Sequence, residues 1–424
     1  MTDTRAARGR RRSSLVVALF ALLLIAGCGG GADEPQVWVI GLDGADWDIL
    51  DPMIERGELP NLAKLRAEGA YGRLRSDEPL LSPMIWTSIA TGRTVDANGI
   101  TCFMTHGPDG EKIPISSRNR NVRALWNIAT ERDRSSTVIG WWATWPVEPI
   151  DGYLVSDYVG WHSFGVTGQQ IDAPGKVWPS DMQTEILDML PSPDDVDDAL
   201  LQTMVDLPAD ELGFDPERGP LGGPLPHLRQ AVATARGYTD VALDLLDRER
   251  TDFFAVYYEG TDATMHLFGN YSPPQQPWVS DEDYAAFRNA VRGYWQYQDR
   301  LLGELLEERG PNTTVMIISD HGFRTGEERL REERFEIERA DASHMIDGAI
   351  VLNGPGVEPG TRLRAADIYD IAPTILHLMD LPVARDMAGD VLEDAYTEEF
   401  LASNPVENLA ELGGQAVGIV AGSP

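Results

Sequence analysis

Short apolar segments that run directly into a carboxylate constrain the fold of this chain more than any other feature. Val37–Ile40 leads to Asp43 between two glycines, and Thr314–Ile318 leads to Asp320. Runs of this length predict buried strands, and the stretches with helical spacing between them predict helices. Further strands are expected at 137–140 and 253–258, and helices at 60–68, 228–247 and 284–308. Strands that alternate with helices predict an α/β fold whose site lies at the carboxyl ends of the strands.

The charge balance excludes some classes of partner. The 424 residues include 68 acidic and 35 basic ones, which gives a formal net charge of −33. Nucleic acids and anionic lipid surfaces are bound through clustered Lys and Arg, so neither is an expected binding partner of the protein surface. A small substrate remains the expected ligand.

The N-terminus has the features of an export signal. A region with five arginines precedes the apolar stretch Leu15–Ala26, which is short for a membrane span. Ile25–Cys28 resembles a bacterial lipobox, in which the cysteine is lipidated after cleavage. We therefore predict a signal peptide at 1–27, a lipid anchor on Cys28 and a flexible tether at 28–35. The exported protein would be held in the cell envelope, at the outer membrane or cell surface and not in the cytoplasm. Gly29 after the cysteine, in place of Asp, favours the outer membrane if the cell has one.

The remaining chain is expected to form one catalytic domain over residues 36–397. Residues 162–227 are rich in Pro, Gly and Asp and carry little strand signal, which predicts an insertion or cap. Residues 398–424 are small and weakly patterned and are expected to form a loosely ordered tail.

Ser82 opens a segment with the signals of a short helix. Serine is a favoured N-cap, Pro83 suits the first helical position, and Gly92 suits the end of the helix. Free N–H groups at such a helix start suit a phosphoryl group. This segment alone favours the simpler interpretation that Ser82 is only a helix cap.

Two further segments carry groups that bind metal ions. Asp262 and His266 are four residues apart after the strand 253–258, so they share a helical face. Asp320 and His321 form a pair in a tight turn, and such a pair is costly to bury without a counter-charge. A last candidate, His344, precedes another apolar run.

Taken in order, these segments resemble the type I phosphodiesterase/nucleotide pyrophosphatase family over residues 36–392. The matching segments are Gly41–Gly44, Ser82 ten residues before Gly92, Asp262–His266, Ser319–Gly322, His344 ahead of Gly354–Gly356, and Asp367–Thr374. The resemblance implies an alkaline phosphatase-like central sheet flanked by helices, with an inserted cap region. It also implies two metal ions about 4 Å apart.

The resemblance also implies a role for each candidate residue. One ion would be bound by Asp262, His266 and His344. The other would be bound by the remaining set, namely Asp43, Asp320, His321 and the Ser82 oxygen. Mixed histidine and carboxylate ligands suit Zn²⁺, with Mn²⁺ or Fe as alternatives. Ser82 would be the catalytic nucleophile of a phosphohydrolase, most simply of phosphodiesterase or pyrophosphatase type, that cleaves a small phosphate ester through a phosphoseryl intermediate.

One position departs from the family. Nucleotide pyrophosphatases carry an Asn about twenty residues after the nucleophile, and this chain has Phe103 there. A phenyl ring cannot donate a hydrogen bond to a phosphoryl oxygen, which weakens the expectation of a nucleotide substrate. Possible replacement donors are Arg118, Arg120 and Arg123, and tryptophans at 141, 142, 145 and 161 either line a cleft or pack.

Three other functions are compatible with parts of this pattern. Sulfatases share the fold, but they carry Pro two residues and Arg four residues after the nucleophile, where this chain has Met84 and Trp86. An envelope transferase that moves a phospho-headgroup would use the same residues. A non-catalytic binding lipoprotein is disfavoured because every metal-ligand position is retained.

Overall fold

The computed structural model describes residues 36–160, 173–213, 223–330 and 341–410. Its strands are β1 (Gln36–Leu42), β2 (Ala70–Arg75), β3 (Met104–His106), β4 (Lys112–Pro114), β5 (Ser136–Ile139), β6 (Gly152–Val155), β7 (Val177–Trp178), β8 (Phe253–Tyr258), β9 (Thr313–Ile318), β10 (Gly322–Phe323), β11 (His344–Met345), β12 (Asp347–Asn353), β13 (Arg362–Asp367), β14 (Val383–Ala384) and β15 (Asn408–Leu409). Its helices are α1 (Trp47–Glu55), α2 (Pro60–Ala67), α3 (Ser82–Thr91), α4 (Val95–Asn98), α5 (Leu125–Thr130), α6 (Gln183–Asp188), α7 (Asp198–Leu201), α8 (Leu225–Arg248), α9 (Gly260–Phe268), α10 (Asp281–Phe287), α11 (Ala290–Glu307), α12 (Ile371–Leu378) and α13 (Glu398–Ser403).

A nine-stranded sheet forms the centre of the fold. Its strand order is β13-β2-β12-β9-β1-β8-β5-β6-β7, with β12 and β7 antiparallel to their neighbours and the other pairs parallel. Gly41 of β1 pairs with Tyr257 of β8 on one side and with Ile318 of β9 on the other. The carboxyl ends of these three central strands therefore lie side by side.

Side chains of β1 alternate between the two faces of the sheet, as the two-residue period of a strand requires. Trp38 and Ile40 pack into one apolar core with α8, α9 and α11, whereas Val37 and Val39 pack into a second core with α3, α5 and α12. The sheet is thus buried between two helical layers, as expected for parallel strands. This confirms the predicted α/β fold with helices flanking a central sheet.

The four predicted strands and the helices at 60–68 and 228–247 are confirmed, with bounds that shift by a few residues. The helical pattern predicted over 284–308 is confirmed, but it does not form one continuous helix. The chain instead forms α10 and α11, which are separated at residues 288–289.

The predicted insertion contributes to the main body of the fold. β7 pairs with β6 and forms one edge of the sheet, and Leu201, Met204 and Leu212 are buried in the core that contains α8 and α11. Whether any part of 162–227 acts as a cap stays a prediction, because residues 161–172 and 214–222 lie outside the described residues.

The expectation of a loosely ordered tail from residue 398 is wrong for its first part. Thr397 caps α13 by accepting a hydrogen bond from the Phe400 amide, and the Phe400 ring stacks on Tyr396 at 4.9 Å. β15 then pairs with β14. The predicted signal peptide, Cys28, the tether and residues 411–424 lie outside the described residues. A helix both long and apolar enough to cross a membrane is not found among the described residues.

Candidate metal centre

The ends of the central strands bring the six predicted metal ligands other than Ser82 into one buried cluster. Asp43 follows β1, and Asp320 and His321 follow β9 after one intervening serine. Asp262 and His266 lie on α9, which begins just after β8, and His344 is the first residue of β11. Each of the six side chains belongs to a residue that is at most 7% exposed.

Three of these residues converge on one point. The Nε2 atoms of His266 and His344 are 3.0 Å apart. Asp262 places Oδ2 at 3.4 Å from His266 Nε2 and Oδ1 at 3.4 Å from His344 Nε2. Ligand atoms about 3.3 Å apart are what a tetrahedral site with bonds of about 2.0–2.1 Å requires. The four-residue spacing on α9 therefore places Asp262 and His266 on one helical face, as predicted.

A second group surrounds His321. Its Nε2 lies 3.3 Å from Asp43 Oδ1 and 3.4 Å from Asp320 Oδ2. Asp262 is also within reach of this group, since ligand atoms of Asp43, Asp262 and His321 all lie within 4.8 Å of one another. The sequence assigned Asp262 to one ion only, whereas the structure places it between both groups.

The backbone fixes which nitrogen each of two histidines presents to the cluster. His344 Nδ1 donates to the carbonyl oxygen of Leu80 at 2.8 Å, and His321 Nδ1 donates to that of Gly322 at 3.0 Å. Since a carbonyl only accepts, the proton of each neutral ring is on Nδ1. The Nε2 lone pair is then left to bind a metal ion.

The electrostatics of the cluster are unfavourable without a cation. Burial and the nearby carboxylates of Asp320 and Asp262 raise the pKa of Asp43 well above its usual range. Burial and Asp262 raise the pKa of Asp320 to about 7. Burial and the adjacent His344 lower the pKa of His321 well below its usual range, so this ring stays neutral.

Asp262 is the exception among the carboxylates. Burial opposes its ionisation, but the imidazoles of His266 and His344 outweigh burial and lower its pKa. Burial likewise disfavours a charged His344, yet its contact with Asp262 raises the pKa of that imidazole.

The donor set fits divalent metal ions. Among the described residues, buried atoms of this cluster that make no hydrogen bond include Asp43 Oδ1, Asp262 Oδ1, Asp320 Oδ2 and His321 Nε2. Buried polar atoms normally have hydrogen-bond partners. Here the lone pairs of these atoms face one another, and a bound cation would stabilise them. Neutral imidazoles with carboxylates suit Zn²⁺ and similar transition ions.

Ser82 comes two residues after Leu80, whose carbonyl bonds His344, and it is not the N-cap of α3 that the sequence predicted. Leu81 has the extended backbone of a cap, with φ −110° and ψ 117°, and its carbonyl accepts from the Met84 and Ile85 amides. Ser82 is therefore the first helical residue and Pro83 the second. Gly92 ends the helix with φ 63°, as predicted. As a first-turn residue, Ser82 has its amide among those left unbonded by the helix.

Phe103, which stands where the family has Asn, lies in an aromatic cluster. The Phe103 ring contacts Trp142 edge-to-face, with ring centroids 5.6 Å apart. Arg120, proposed as a replacement donor, is buried and pairs with Glu148 while it bonds the Asn127 side chain. Its role in this structure is therefore packing and internal pairing. Trp161 lies outside the described residues.

Four residues that sequence reasoning did not select organise the cluster. Tyr257 and Trp86 both donate to Asp43 Oδ2. Thr261 Oγ1 donates to the Asp43 carbonyl oxygen at 2.6 Å, and Ser319 Oγ accepts from the Ala45 amide at 2.8 Å. Trp86, Thr261 and Ser319 each lie within four residues of a predicted site residue, and that proximity was the available signal. Tyr257 lies inside β8, five residues before Asp262, and has no such signal.

Comparisons with known proteins agree with this geometry. The sequence profile of the family described as "Type I phosphodiesterase / nucleotide pyrophosphatase" matches residues 37–375. A 2,3-bisphosphoglycerate-independent phosphoglycerate mutase from Cereibacter sphaeroides (strain ATCC 17029) is 36% identical over 98 residues, and its counterpart from strain KD131 matches equally. These residues make up 23% of this chain and 18% of the mutase, so the chain spans about a fifth of the length of these curated relatives.

Solved structures show the same fold in sulfatases. One is a 2-O GAG sulfatase, with a TM-score of 0.53 and 11% identity over 85% of this chain and 73% of that one. Another is a sulfatase from Bacteroides thetaiotaomicron VPI-5482 described as putative in its name, with a TM-score of 0.53 and 11% identity over 86% of this chain and 75% of that one. At this identity the likeness concerns the fold alone.

The family profile covers most of the chain, and the described residues place its metal-binding motifs in one cluster at the carboxyl end of the sheet. The chain therefore belongs to the type I phosphodiesterase/nucleotide pyrophosphatase family, a hydrolase family of the alkaline phosphatase superfamily.

Proposed function

We propose that this protein is a two-metal phosphohydrolase of phosphodiesterase or pyrophosphatase type, in which Ser82 is the nucleophile. The observation that carries the proposal is the convergence of the six ligands beside the first turn of α3. His344 bonds the carbonyl of Leu80, and Trp86 of α3 bonds Asp43. Ser82 lies between these two attachments, on the same helical face as Trp86.

The chemistry divides between the ions and the chain. Two bound divalent ions, most simply Zn²⁺, would polarise the phosphoryl oxygens and lower the pKa of the serine hydroxyl. Ser82 Oγ then forms a bond to phosphorus while the bond from phosphorus to the leaving oxygen breaks. The leaving oxygen takes a proton, and water cleaves the phosphoseryl ester to restore Ser82. The Ser82 amide, which the helix leaves unbonded, would hold a phosphoryl oxygen.

The sulfatase alternative is supported by the fold, which this chain shares with the sulfatases of known structure. Against it stands Trp86, four residues after Ser82, where sulfatases carry an arginine. The Trp86 indole is fully buried and donates to Asp43 Oδ2 at 3.1 Å. This helix face is therefore occupied by an apolar ring that supports a metal ligand, and no arginine is available there to bind sulfate.

The predicted anchor would join the catalytic domain at a distance from the cluster. A tether of residues 28–35 reaches at most about 28 Å from a lipidated Cys28. It joins β1 at Gln36, which is the opposite end of the strand from Asp43, and β1 with seven residues is about 23 Å long. The point where the tether joins and the cluster therefore lie at opposite ends of β1.

A substrate panel tests these proposals together. The purified protein, loaded with Zn²⁺ or Mn²⁺, would be given aryl phosphate monoesters, aryl phosphodiesters, a nucleotide pyrophosphate and aryl sulfates. Metal-dependent release of the phosphate-ester leaving group, with sulfates untouched, is the expected result. Asp320→Asn, which removes one buried ligand charge, is the inactive control.

Turnover of sulfate esters alone would reject the phosphohydrolase, and transfer to an added alcohol without hydrolysis would favour a transferase. Metal binding without any turnover would favour a binding lipoprotein.

A further inference from the structure

The two oxygens of Asp43 have different surroundings. Oδ2 accepts hydrogen bonds from the Tyr257 hydroxyl and, at 3.1 Å, from Trp86 Nε1. Oδ1 lies 3.3 Å from His321 Nε2 and accepts no hydrogen bond among the described residues. One oxygen is thus held by donors, while the other faces the candidate metal centre.

Tyr257 is itself held by Trp142. The indole Nε1 of Trp142 donates to the Tyr257 hydroxyl oxygen at 2.8 Å, and both residues are at most 7% exposed. A phenol that accepts this bond has one proton left to donate. That proton is directed to Asp43 Oδ2, so Trp142 fixes the direction in which Tyr257 donates.

The loop that carries Trp142 is pinned by a buried carboxylate. Asp157 accepts from the backbone amides of Ala143 and Trp145 at 3.0 Å each, and from Thr144 Oγ1 at 3.1 Å. Ala143 adopts a left-handed backbone with φ 56°, a conformation that costs energy for a residue with a side chain. These bonds hold the loop in one conformation and so hold the Trp142 indole in place.

We propose that Tyr257 and Trp142 are positioning residues for one of the two metal ions, acting through Asp43. They hold Oδ2 so that Oδ1 alone is presented to the ion that His321 and Asp320 would share. The inference rests on the proposed two-metal function and extends it to residues that do not touch the metal. Loss of such an outer hydrogen bond typically lowers metal affinity about 10–100-fold.

The chain provides a matched control on the same strand. Tyr258 follows Tyr257 but points to the opposite face of the sheet, where its hydroxyl lies 2.8 Å from Thr239 Oγ1. It is also buried, at 2% exposed. Tyr257→Phe and Tyr258→Phe therefore each remove one buried hydroxyl from β8, and only the first removes a bond to a metal ligand.

The test is metal affinity, measured without substrate. Metal-free parent, Tyr257→Phe, Trp142→Phe and Tyr258→Phe would be titrated with Zn²⁺ against a chromophoric chelator, which resolves two successive affinities. We expect Tyr257→Phe to weaken one of the two affinities by about 10–100-fold and leave the other unchanged. Trp142→Phe should weaken the same affinity by less, and Tyr258→Phe should match the parent. Crystals grown at limiting Zn²⁺ should show reduced occupancy beside Asp43 in Tyr257→Phe.

Two unchanged affinities in Tyr257→Phe would overturn the inference, as would equal losses at both sites or the same loss in Tyr258→Phe. A parent protein that binds fewer than two ions would instead overturn the two-metal function itself, and the inference with it. The two failures are therefore distinguished by the parent titration.

Discussion

His344 Nδ1 donates a hydrogen bond of 2.8 Å to the carbonyl oxygen of Leu80, two residues before Ser82. This bond joins a candidate metal ligand to the segment that leads into α3. The opposite ring nitrogen of His344 lies 3.0 Å from His266 Nε2. One imidazole thus contacts both the metal cluster and the backbone that places the proposed nucleophile, so its replacement should affect metal content and catalysis together.

His344→Ala should bind about one transition ion per chain where the parent binds two, because His344 is expected to serve only one site. The measurement is elemental analysis after dialysis against a weak chelator. The exposed His106 on β3 provides a control, since His106→Ala should keep the parent metal content. Loss of both ions would show that His344 supports the whole cluster.

His344→Asn separates the two roles of this residue. The Asn amide can still donate toward Leu80, but no ring nitrogen remains to bind the ion. Its metal content should equal that of His344→Ala, while its thermal stability without metal should be closer to that of the parent. Equal destabilisation of both variants would mean that the bond to Leu80 contributes little.

The pH dependence of the metal-free protein should reveal the strain in the carboxylate cluster. Burial and Asp262 raise the pKa of Asp320 from its ordinary 3.8 to about 7. Well below pH 4 this carboxyl is protonated in the folded and the unfolded state, so its ionisation does not lower the stability of the folded protein. Between pH 4 and 7 the unfolded chain ionises it more readily than the folded protein does, so its contribution to stability is lost as pH rises.

Asp320→Asn cannot ionise and should avoid this loss. In chelator, the Tm of Asp320→Asn minus that of the parent should therefore grow by several degrees from pH 4 to 7 and then level off. Added Zn²⁺ at pH 7 should reverse the sign of the difference, because the parent keeps the ligand charge that the ion needs. Thermal melts across this range check the prediction. A difference that stays flat with pH would contradict the raised pKa.

Five of the six ligands could be predicted from the sequence because each follows an apolar strand or recurs at helical spacing, as Asp43 and Asp262 do. His344 instead precedes its strand and was selected through the family resemblance. Strand register is what brings such ends together, and a parallel sheet makes that geometry predictable. The support of Asp43 by Tyr257 and Trp142 could not be predicted, because those residues come from separate strands and loops. Their aromatic side chains have the same sequence signal as core packing.

The start of α3 was placed one residue late for a related reason. Serine has the stronger intrinsic preference for an N-cap than leucine. In the fold, however, Leu81 is buried with an extended backbone, and its carbonyl accepts the first helical hydrogen bonds. Tertiary packing of Leu81 therefore overrides the local preference and places Ser82 inside the first turn.

Lipidation of Cys28 predicts a change of location without a change of activity. Cys28→Ser should remain as an unprocessed precursor or leave the membrane fraction, while the catalytic domain from residue 36 onward is unaltered. Fractionation with intact-mass measurement of the mature N-terminus tests this. An unchanged mass and an unchanged membrane fraction would reject the anchor. A longer Gly/Ser tether in the parent should leave hydrolysis of soluble esters unchanged, since such substrates reach the cluster from solution.

The last prediction concerns Ser82, whose replacement tests the mechanism most directly. Ser82→Ala removes the nucleophile and one proposed metal contact, and turnover should fall by about 10³-fold or more. Ser82→Thr keeps a hydroxyl and should retain appreciable activity.

The control is a second hydroxyl residue of α3. Ser88 is a poor choice, because its buried hydroxyl accepts a hydrogen bond from Asn98 Nδ2 at 3.1 Å. Thr87→Val is better matched, since the Thr87 hydroxyl donates within the helix to the Pro83 carbonyl at 2.7 Å, and this variant should stay active. Rapid quench with a labelled phosphate ester should trap phosphate on the parent and none on Ser82→Ala. If Ser82→Ala binds both ions and turns over near the parent rate, a water molecule attacks phosphorus directly and Ser82 serves only the start of α3.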